Sequence, residues 1–372
     1  MDVGVTTIHN HLNYGAALQV YALTKTVQRL GHVCKVIDND IEPGHGRRYS
    51  RSRHPGEHVK NLYMACHHRA GRRFWSRFND FFQNFIPKTE QKYTTYEELT
   101  VSPPVFDAFI TGSDQVWNPG LLDRQLGALY HLAFADQEKT RLISYAPSFG
   151  VSEISDRYVK RIQNYLLRYH SISVRESRGK EIIKEISGRD AKHVLDPTLL
   201  LTPDCYDSII NKPDVDGEYM LVYPMEVGDN FSFYRVVKAV KKLLGIRVVM
   251  VFPLSFHHRW MLLADKIVLD AGPKEFLGLI KYASCVCTNS FHGTVFSVLF
   301  QKNFLGTPHS RTNARSYSLL EKIGLLDRQL SDWDEQSVQE TLNQQISYAN
   351  VAPLLNTERD QSLSYLQKAL SA

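Results

Sequence analysis

The sequence predicts an α/β protein of two consecutive domains, each built on a parallel sheet covered by helices. Three observations predict it. At 372 residues the chain is too long for one ordinary core. Short apolar, β-branched runs alternate with segments of helical period along most of its length. The alternation breaks once, in the proline, aspartate and glycine of "LLLTPDCYDSIINKPDVDGEY", and then restarts.

The elements follow in order. "VGVTTI" reads as a strand, and "AALQVYALTKTVQRLG" as a helix with Val20, Leu23, Val27 and Leu30 on one face and Gly31 ending it. "HVCKVID" completes a βαβ unit. Phe74, Phe78, Phe81, Phe85 and Ile86 mark an amphipathic helix beyond a basic insert at 41–77. "VFDAFITG", "RLISYAP" and "SISVRE" are short strands, with the helix "RYVKRIQNYLLRYH" between the last two. The second series is "YMLVYPM", the helix "FYRVVKAVKKLLG", "IRVVMVF", "KIVLD", the helix "PKEFLGLIKYA" and "SCVCTN". The expected domains are 1–201 and 218–348, joined by a linker at 202–217, with a C-terminal helix at 349–372 packing back on the first. A ligand cleft is expected between them, beyond the carboxyl ends of the strands.

Composition narrows the function classes. The start lacks the basic head, apolar stretch and cleavage site of a secretory signal, and the longest apolar runs are far short of the roughly 20 residues a bilayer requires. A cytoplasmic protein is expected. Five cysteines without a framework fit a reducing compartment. Cys285 and Cys287 share one face of a strand; buried thiols are the favoured reading, and no metal is expected. The net charge of +5 is unevenly spread: Arg47 to Arg77 holds nine Lys or Arg against the single acid Glu57. No zinc finger, RNP or helix-turn-helix pattern accompanies that run, so nucleic acid is not expected. It reads as a solvated face, or as a peripheral contact with anionic membrane on its inner side.

The loops at the strand ends carry the candidate chemistry. In "HNHLNYGAALQ", Asn13 can cap a helix whose start at Tyr14, Gly15, Ala16 and Ala17 would admit an anion, or can simply close a tight turn. In "ITGSDQVWNPG", Asp114 can accept a proton from a hydroxyl or cap a turn, beside Gln115. Trp117 can face a sugar ring or fill the core. His292 lies where an apolar strand becomes an apolar helix, and a histidine can give and take protons near neutral pH.

Six blocks, in order and spanning nearly the whole chain, carry a resemblance: "NYGAALQVYAL", "ITGSDQVWNP", "SYAPSFG", "SVRESRG", "VLDPTLLL" and "TNSFHGTVFSVLF". Together they resemble the polysaccharide pyruvyl transferases. The resemblance implies two Rossmann-like domains similar to GT-B glycosyltransferases, phosphoenolpyruvate as donor, and a hexose of a cell-surface polysaccharide precursor as acceptor, in some cases lipid-linked. It also implies a cyclic pyruvate ketal as product, phosphate as leaving group, and no cofactor. Carried onto this chain, His292 is the expected acid or phosphate partner and Asp114 the base or sugar ligand. Arg175 is expected to grip the donor carboxylate or phosphate, or else to pair with Glu176 or a helix acid, and Ser290, Gly293 and Thr294 fall on the donor side. Asn13, Tyr14, Gly15, Gln115 and Trp117 fall on the acceptor side.

One departure stands out. Related sequences often read Arg-Leu-His where this chain has Ser290-Phe291-His292, so another cation is required. Arg315 is the first candidate and Arg311 the second, both in the polar stretch "HSRTNARSYSLLEKIGL". Two other functions remain open on sequence alone: a glycosyltransferase using a nucleotide sugar, and a non-catalytic scaffold in glycan assembly.

Overall fold

The structure, a computed structural model, describes residues 1–41, 67–225, 231–251, 258–308, 314–330 and 334–371. The chain divides into two compact units: Met1–Gly44, Phe82–Leu201 and Ala352–Ala372 form the first, His45–Phe81 and Thr202–Val351 the second.

The first unit is built on β1 (Asp2–Thr6), β2 (Val33–Val36), β3 (Ala108–Thr111) and β4 (Arg141–Ser144), all parallel in the order β2-β1-β3-β4. Valines and isoleucines bury both faces of these strands, as an all-parallel sheet requires. Two short parallel strands, β5 (Ser173–Val174) and β6 (Lys192–His193), continue beside β4 through an Ile143 to Ser171 bridge. Serine side chains stitch that seam: Ser144 Oγ donates to Ser173 O at 2.9 Å, and Ser173 Oγ donates to Ser144 O at 2.7 Å. Every strand of this unit therefore ends on the same side, which is where the loops of interest lie.

The Tyr14–Arg29 helix crosses from β1 to β2. Asn13 caps it, accepting from Ala16 N at 3.0 Å, and Gly31 leaves it with φ 88° in the left-handed region that glycine tolerates. Its alanines and leucines are buried almost throughout, so it is a core helix with little polar face. The C-terminal helix Tyr348–Ser371 docks its latter part on this unit. Tyr365 Oη donates to Ser144 O at 2.9 Å, Ser362 Oγ accepts from Leu195 N at 3.0 Å, and Arg359 Nε donates to Leu199 O at 2.7 Å.

The second unit carries β7 (Tyr219–Tyr223), β8 (Arg247–Val251), β9 (Lys266–Val268), β10 (Cys285–Thr288) and β11 (Asn303–Gly306), all parallel in the order β11-β10-β7-β8-β9. Met220, Val222, Phe233, Val236, Val240, Met250, Trp260 and Leu305 fill one core of this unit. Cys285 and Cys287 are buried in β10, with Cys287 Sγ 3.3 Å from Met220 Sδ. Among the described residues no group of three or more His, Cys, Asp or Glu is placed to hold a metal. Nor is any described helix long and apolar enough to cross a membrane.

The linker expected at 202–217 contains a short helix, Pro203–Asp207, and belongs to the second unit from Thr202 onward. The insert at 41–77 was expected with the first domain. Its residues 42–66 lie outside the described ones, and its residues 67–77 fall in the second unit. Phe74, Phe78 and Phe81 bury one face of the helix that starts there, and two arginines add contacts to Asp270. From the His68–Phe85 helix, Arg73 Nε donates to Asp270 Oδ2 at 2.6 Å and Arg77 Nη1 to Asp270 O at 2.7 Å.

Candidate active site

Two clusters form at strand ends, one in each unit. In the first, the chain leaves β3 through Gly112 and Ser113 and turns at Asp114, whose φ of 77° is in the left-handed region. Asp is one of the few residues with a side chain that visits it readily. The turn is fixed on both sides: Ser148 N donates to Asp114 O at 2.8 Å, and Gln115 N donates to Asp114 Oδ1 at 2.9 Å. Thr7 Oγ1, beyond β1, donates to Ser113 O at 2.8 Å and accepts from Gln19 Nε2 at 3.0 Å. Gln19 belongs to the Tyr14–Arg29 helix, so the Asp114 turn and that helix share one polar scaffold.

Arg175 follows β5, and its side chain is only 1% exposed. Its Nη1 donates to Asp196 Oδ2 at 2.8 Å, and its Nη2 lies 3.5 Å from Asp114 Oδ1. Asp196, after β6, is fully buried and engaged on both oxygens. Oδ2 also receives Ser113 Oγ at 3.0 Å, while Oδ1 accepts from Thr198 N at 3.1 Å and Thr198 Oγ1 at 2.7 Å. Burial works against the Arg175 charge, but Asp196, Asp114 and Glu176 outweigh it and hold the guanidinium above its ordinary value. Glu176 Oε1 in turn accepts from Ser148 Oγ at 2.9 Å and Phe149 N at 3.1 Å.

The second cluster is the junction from β10 to the Phe291–Leu299 helix. Ser290 caps the helix, its Oγ accepting from Gly293 N at 3.3 Å, and Thr294 N donates to Ser290 O at 3.0 Å. Thr288 Oγ1 accepts from Ser290 N at 3.0 Å and donates to Tyr223 O at 2.7 Å, tying the junction to β7. A Cβ on Gly293 would sit 2.3 Å from Thr288 Oγ1, so the helix can lie this close to its own strand only with glycine there. His292 is in the first turn, buried to 7% exposure and 5.0 Å from the Phe291 ring. The Arg315 guanidinium lies 5.6 Å over that same ring, a cation–π contact beside the histidine.

This architecture and these strand-end clusters can be set beside known proteins. A family model described as polysaccharide pyruvyl transferase matches residues 13–311. The chain belongs to the polysaccharide pyruvyl transferase family. No curated protein matches it. In fold it is similar to a putative UDP-N-acetylglucosamine 2-epimerase from Listeria monocytogenes, with TM-score 0.54 and 10% identity over 99% of this chain and 90% of that one. The UDP-GlcNAc 2-epimerase from Neisseria meningitidis bound to UDP-GlcNAc gives 0.54 and 11% over 100% and 99%. Arabidopsis thaliana UGT89C1 complexed with UDP-L-rhamnose gives 0.52 and 11% over 98% of each. At such identities the likeness shows the fold alone, the α/β GT-B type with two parallel sheets.

In this pyruvyl transferase family member, several expected site residues are buried or bonded within the protein itself. Trp117 offers no face to a sugar: it is fully buried, stacked 5.6 Å from His131 and packed on Phe149 and Tyr169. Arg175 is buried, bonded to Asp196 and 3.5 Å from Asp114. The Gly293 and Thr294 amides donate to Ser290. Tyr14 and Gly15 are buried in the first turn of their helix, whereas Asn13 and Gln115 keep part of their surface in solvent. Arg311 lies outside the described residues. Asp196 and Ser113 were not singled out from sequence, although both stand inside the blocks "VLDPTLLL" and "ITGSDQVWNP" that carried the resemblance.

Proposed function

We propose that this protein transfers pyruvate from phosphoenolpyruvate to two hydroxyls of a hexose in a cell-surface polysaccharide precursor. The family match over residues 13–311 carries this reading. A proton adds to the methylene carbon of the enol, and one sugar hydroxyl bonds to the cationic C2. Phosphate then leaves with its bridging oxygen, and the second hydroxyl closes the ketal. Of the two hydroxyl protons lost, one balances the new methyl group and the other leaves with phosphate. The donor and acceptor therefore balance without a redox partner.

His292 is the proposed proton donor to the methylene carbon. Arg315, stacked on Phe291, is the proposed cation for the donor, filling the role left open by Ser290-Phe291-His292. Asp114 is the proposed acceptor of a hydroxyl proton, with Asn13 and Gln115 binding the sugar. Bridging of O4 and O6 is the default regiochemistry. The reaction is placed in the cytoplasm. Where the acceptor is lipid-linked, the exposed Arg69, Arg72 and Trp75 of the His68–Phe85 helix are the proposed contact with anionic membrane. Cosedimentation with phosphatidylserine vesicles, lost on replacing these three by Ala, tests that contact.

Calorimetric titration with phosphoenolpyruvate, UDP and UDP-sugars tests the donor. Saturable phosphoenolpyruvate binding, weakened about tenfold in Arg315→Ala, supports the reading. With a competent acceptor, His292→Ala is expected to slow phosphate release by about 10²–10⁴. Binding of UDP compounds alone would replace pyruvyl transfer by nucleotide-sugar chemistry.

A further inference from the structure

We propose that Arg175 and Asp196 are positioning residues that hold Asp114, and that Arg175 is not a ligand of the donor. The inference rests on the reading that Asp114 takes a hydroxyl proton, and it changes the part Arg175 plays in that reaction.

Three features of the cluster carry it. First, the guanidinium is a bridge between two unlike carboxylates. Nη1 is bonded to Asp196, whose side chain is 0% exposed, while Nη2 faces Asp114, whose side chain is 17% exposed. Asp196 cannot move to suit a ligand, because Thr198 and Ser113 engage it together with Arg175. It fixes the plane of the guanidinium, and that plane sets where the partly exposed carboxylate stands.

Second, the charge around Arg175 is of the wrong sign for an anionic donor. Asp196, Asp114 and Glu176 all raise the guanidinium's hold on its proton, so three carboxylates already answer one cation. A carboxylate or phosphate arriving there would meet like charge before it met a free edge of the guanidinium. A sugar hydroxyl meets no such opposition, and a partly exposed carboxylate is a suitable acceptor for it.

Third, the backbone at Asp114 is held in place from the same direction. Asp114 and Pro147 form a parallel bridge, and Arg175 N donates to Pro147 O at 3.2 Å. Ala146, one residue earlier, also has a left-handed φ of 55°, and its carbonyl accepts from Ser113 Oγ at 2.9 Å. Two non-glycine residues in the left-handed region, cross-linked through the Arg175 segment, form an over-determined turn of the kind found where a side chain must be aimed.

The proposal separates by experiment from a donor-clamp role. The full-length chain is labelled at aspartate Cγ, and the Asp114 signal is assigned by its loss in Asp114→Asn. Its carboxyl midpoint is then followed by NMR in the wild type, Arg175→Gln and Arg175→Lys. Removing a neighbouring cation disfavours the carboxylate, so the midpoint should rise by about 1 unit or more in Arg175→Gln. The rise should be smaller in Arg175→Lys, which keeps the charge but cannot bridge both acids and guards against a Gln variant that fails to fold. Phosphoenolpyruvate affinity should stay within about twofold in Arg175→Lys and Asp196→Asn, with turnover falling in kcat and not in the donor KM. An unchanged Asp114 midpoint, or donor binding weakened tenfold in Arg175→Lys, overturns the proposal. If the wild type binds no phosphoenolpyruvate, the donor reading fails, and the Asp114 midpoint alone still decides the positioning role.

Discussion

At the carboxyl end of β3 the first unit gathers Asp114, Asp196 and Glu176 around the Arg175 guanidinium. At the carboxyl end of β10 the second unit presents one imidazole, one stacked arginine, and the hydroxyls of Thr288, Ser290 and Thr294, each bonded to the backbone of Ser290 or Gly293. Each unit also has a parallel strand that hands over to an apolar helix through a polar cap, Asn13 after β1 and Ser290 after β10. The two clusters differ in what holds them rigid. The first is fixed by opposed charges removed from water, the second by close packing of a helix on its strand. Rigidity by charge leaves a carboxylate whose properties depend on its neighbours. Rigidity by packing leaves a histidine whose position depends on the absence of one methyl group.

The largest expected effect breaks the first kind. Asp196→Ala strands Arg175 in a buried site and leaves the Thr198 and Ser113 donors unmatched. A loss of about 3–5 kcal/mol is expected, read as a lower urea midpoint. Asp196→Asn keeps most of the hydrogen bonds and should cost visibly less. A loss under about 1 kcal/mol in the Ala variant would mean that the charges do not hold this cluster.

The second kind breaks at Gly293. Alanine normally gains about 1 kcal/mol over glycine inside a helix. Here its Cβ would meet Thr288 Oγ1 at 2.3 Å and Thr288 Cβ at 3.0 Å, both from the strand behind it. Overpacking of this kind costs up to about 3 kcal/mol, so Gly293→Ala should be net destabilising by about 2 kcal/mol. A neutral or stabilising substitution would remove the packing half of the comparison.

The same contrast explains what the sequence could reveal. The change from apolar strand to apolar helix around His292 is a local signal and was legible, but the Ser290 cap that starts the helix was not singled out. The Asn13 cap, also a local signal, was legible. Arg175 was legible as a charge at a strand end, but not its partner: Asp196 lies 21 residues on and reaches it only when β5 pairs with β6. β6 is only two residues long, too short to leave a period-2 pattern. Trp117 misled because an aromatic in a loop-like sequence reads the same whether it faces solvent or fills the core. Its burial depends on His131, Phe149 and Tyr169, which arrive from elsewhere in the chain. The His68–Phe85 helix likewise has partners distant in sequence, Asp270 among them.

The smallest expected effect sharpens the comparison through pH. Beyond β2, burial would raise the Asp38 carboxyl, but hydrogen bonds and charge from His9 and Lys88 outweigh it and bring it down to about 2. His9 Nε2 lies 3.3 Å and Lys88 Nζ 3.1 Å from its oxygens. Because the folded value is below the unfolded one, near ~3.9, folding favours the ionised form. The stabilisation is fully present above about pH 4 and is lost as pH falls toward about 2. It amounts to about 1–2 kcal/mol once partial exposure is allowed for. Asp38→Asn should therefore lower the urea midpoint at pH 7 and converge with the wild type only below about pH 2, whereas the loss in Gly293→Ala, being steric, should persist at both. A gap for Asp38→Asn that stayed constant with pH would show that its hydrogen bonds, and not its charge, hold that strand end.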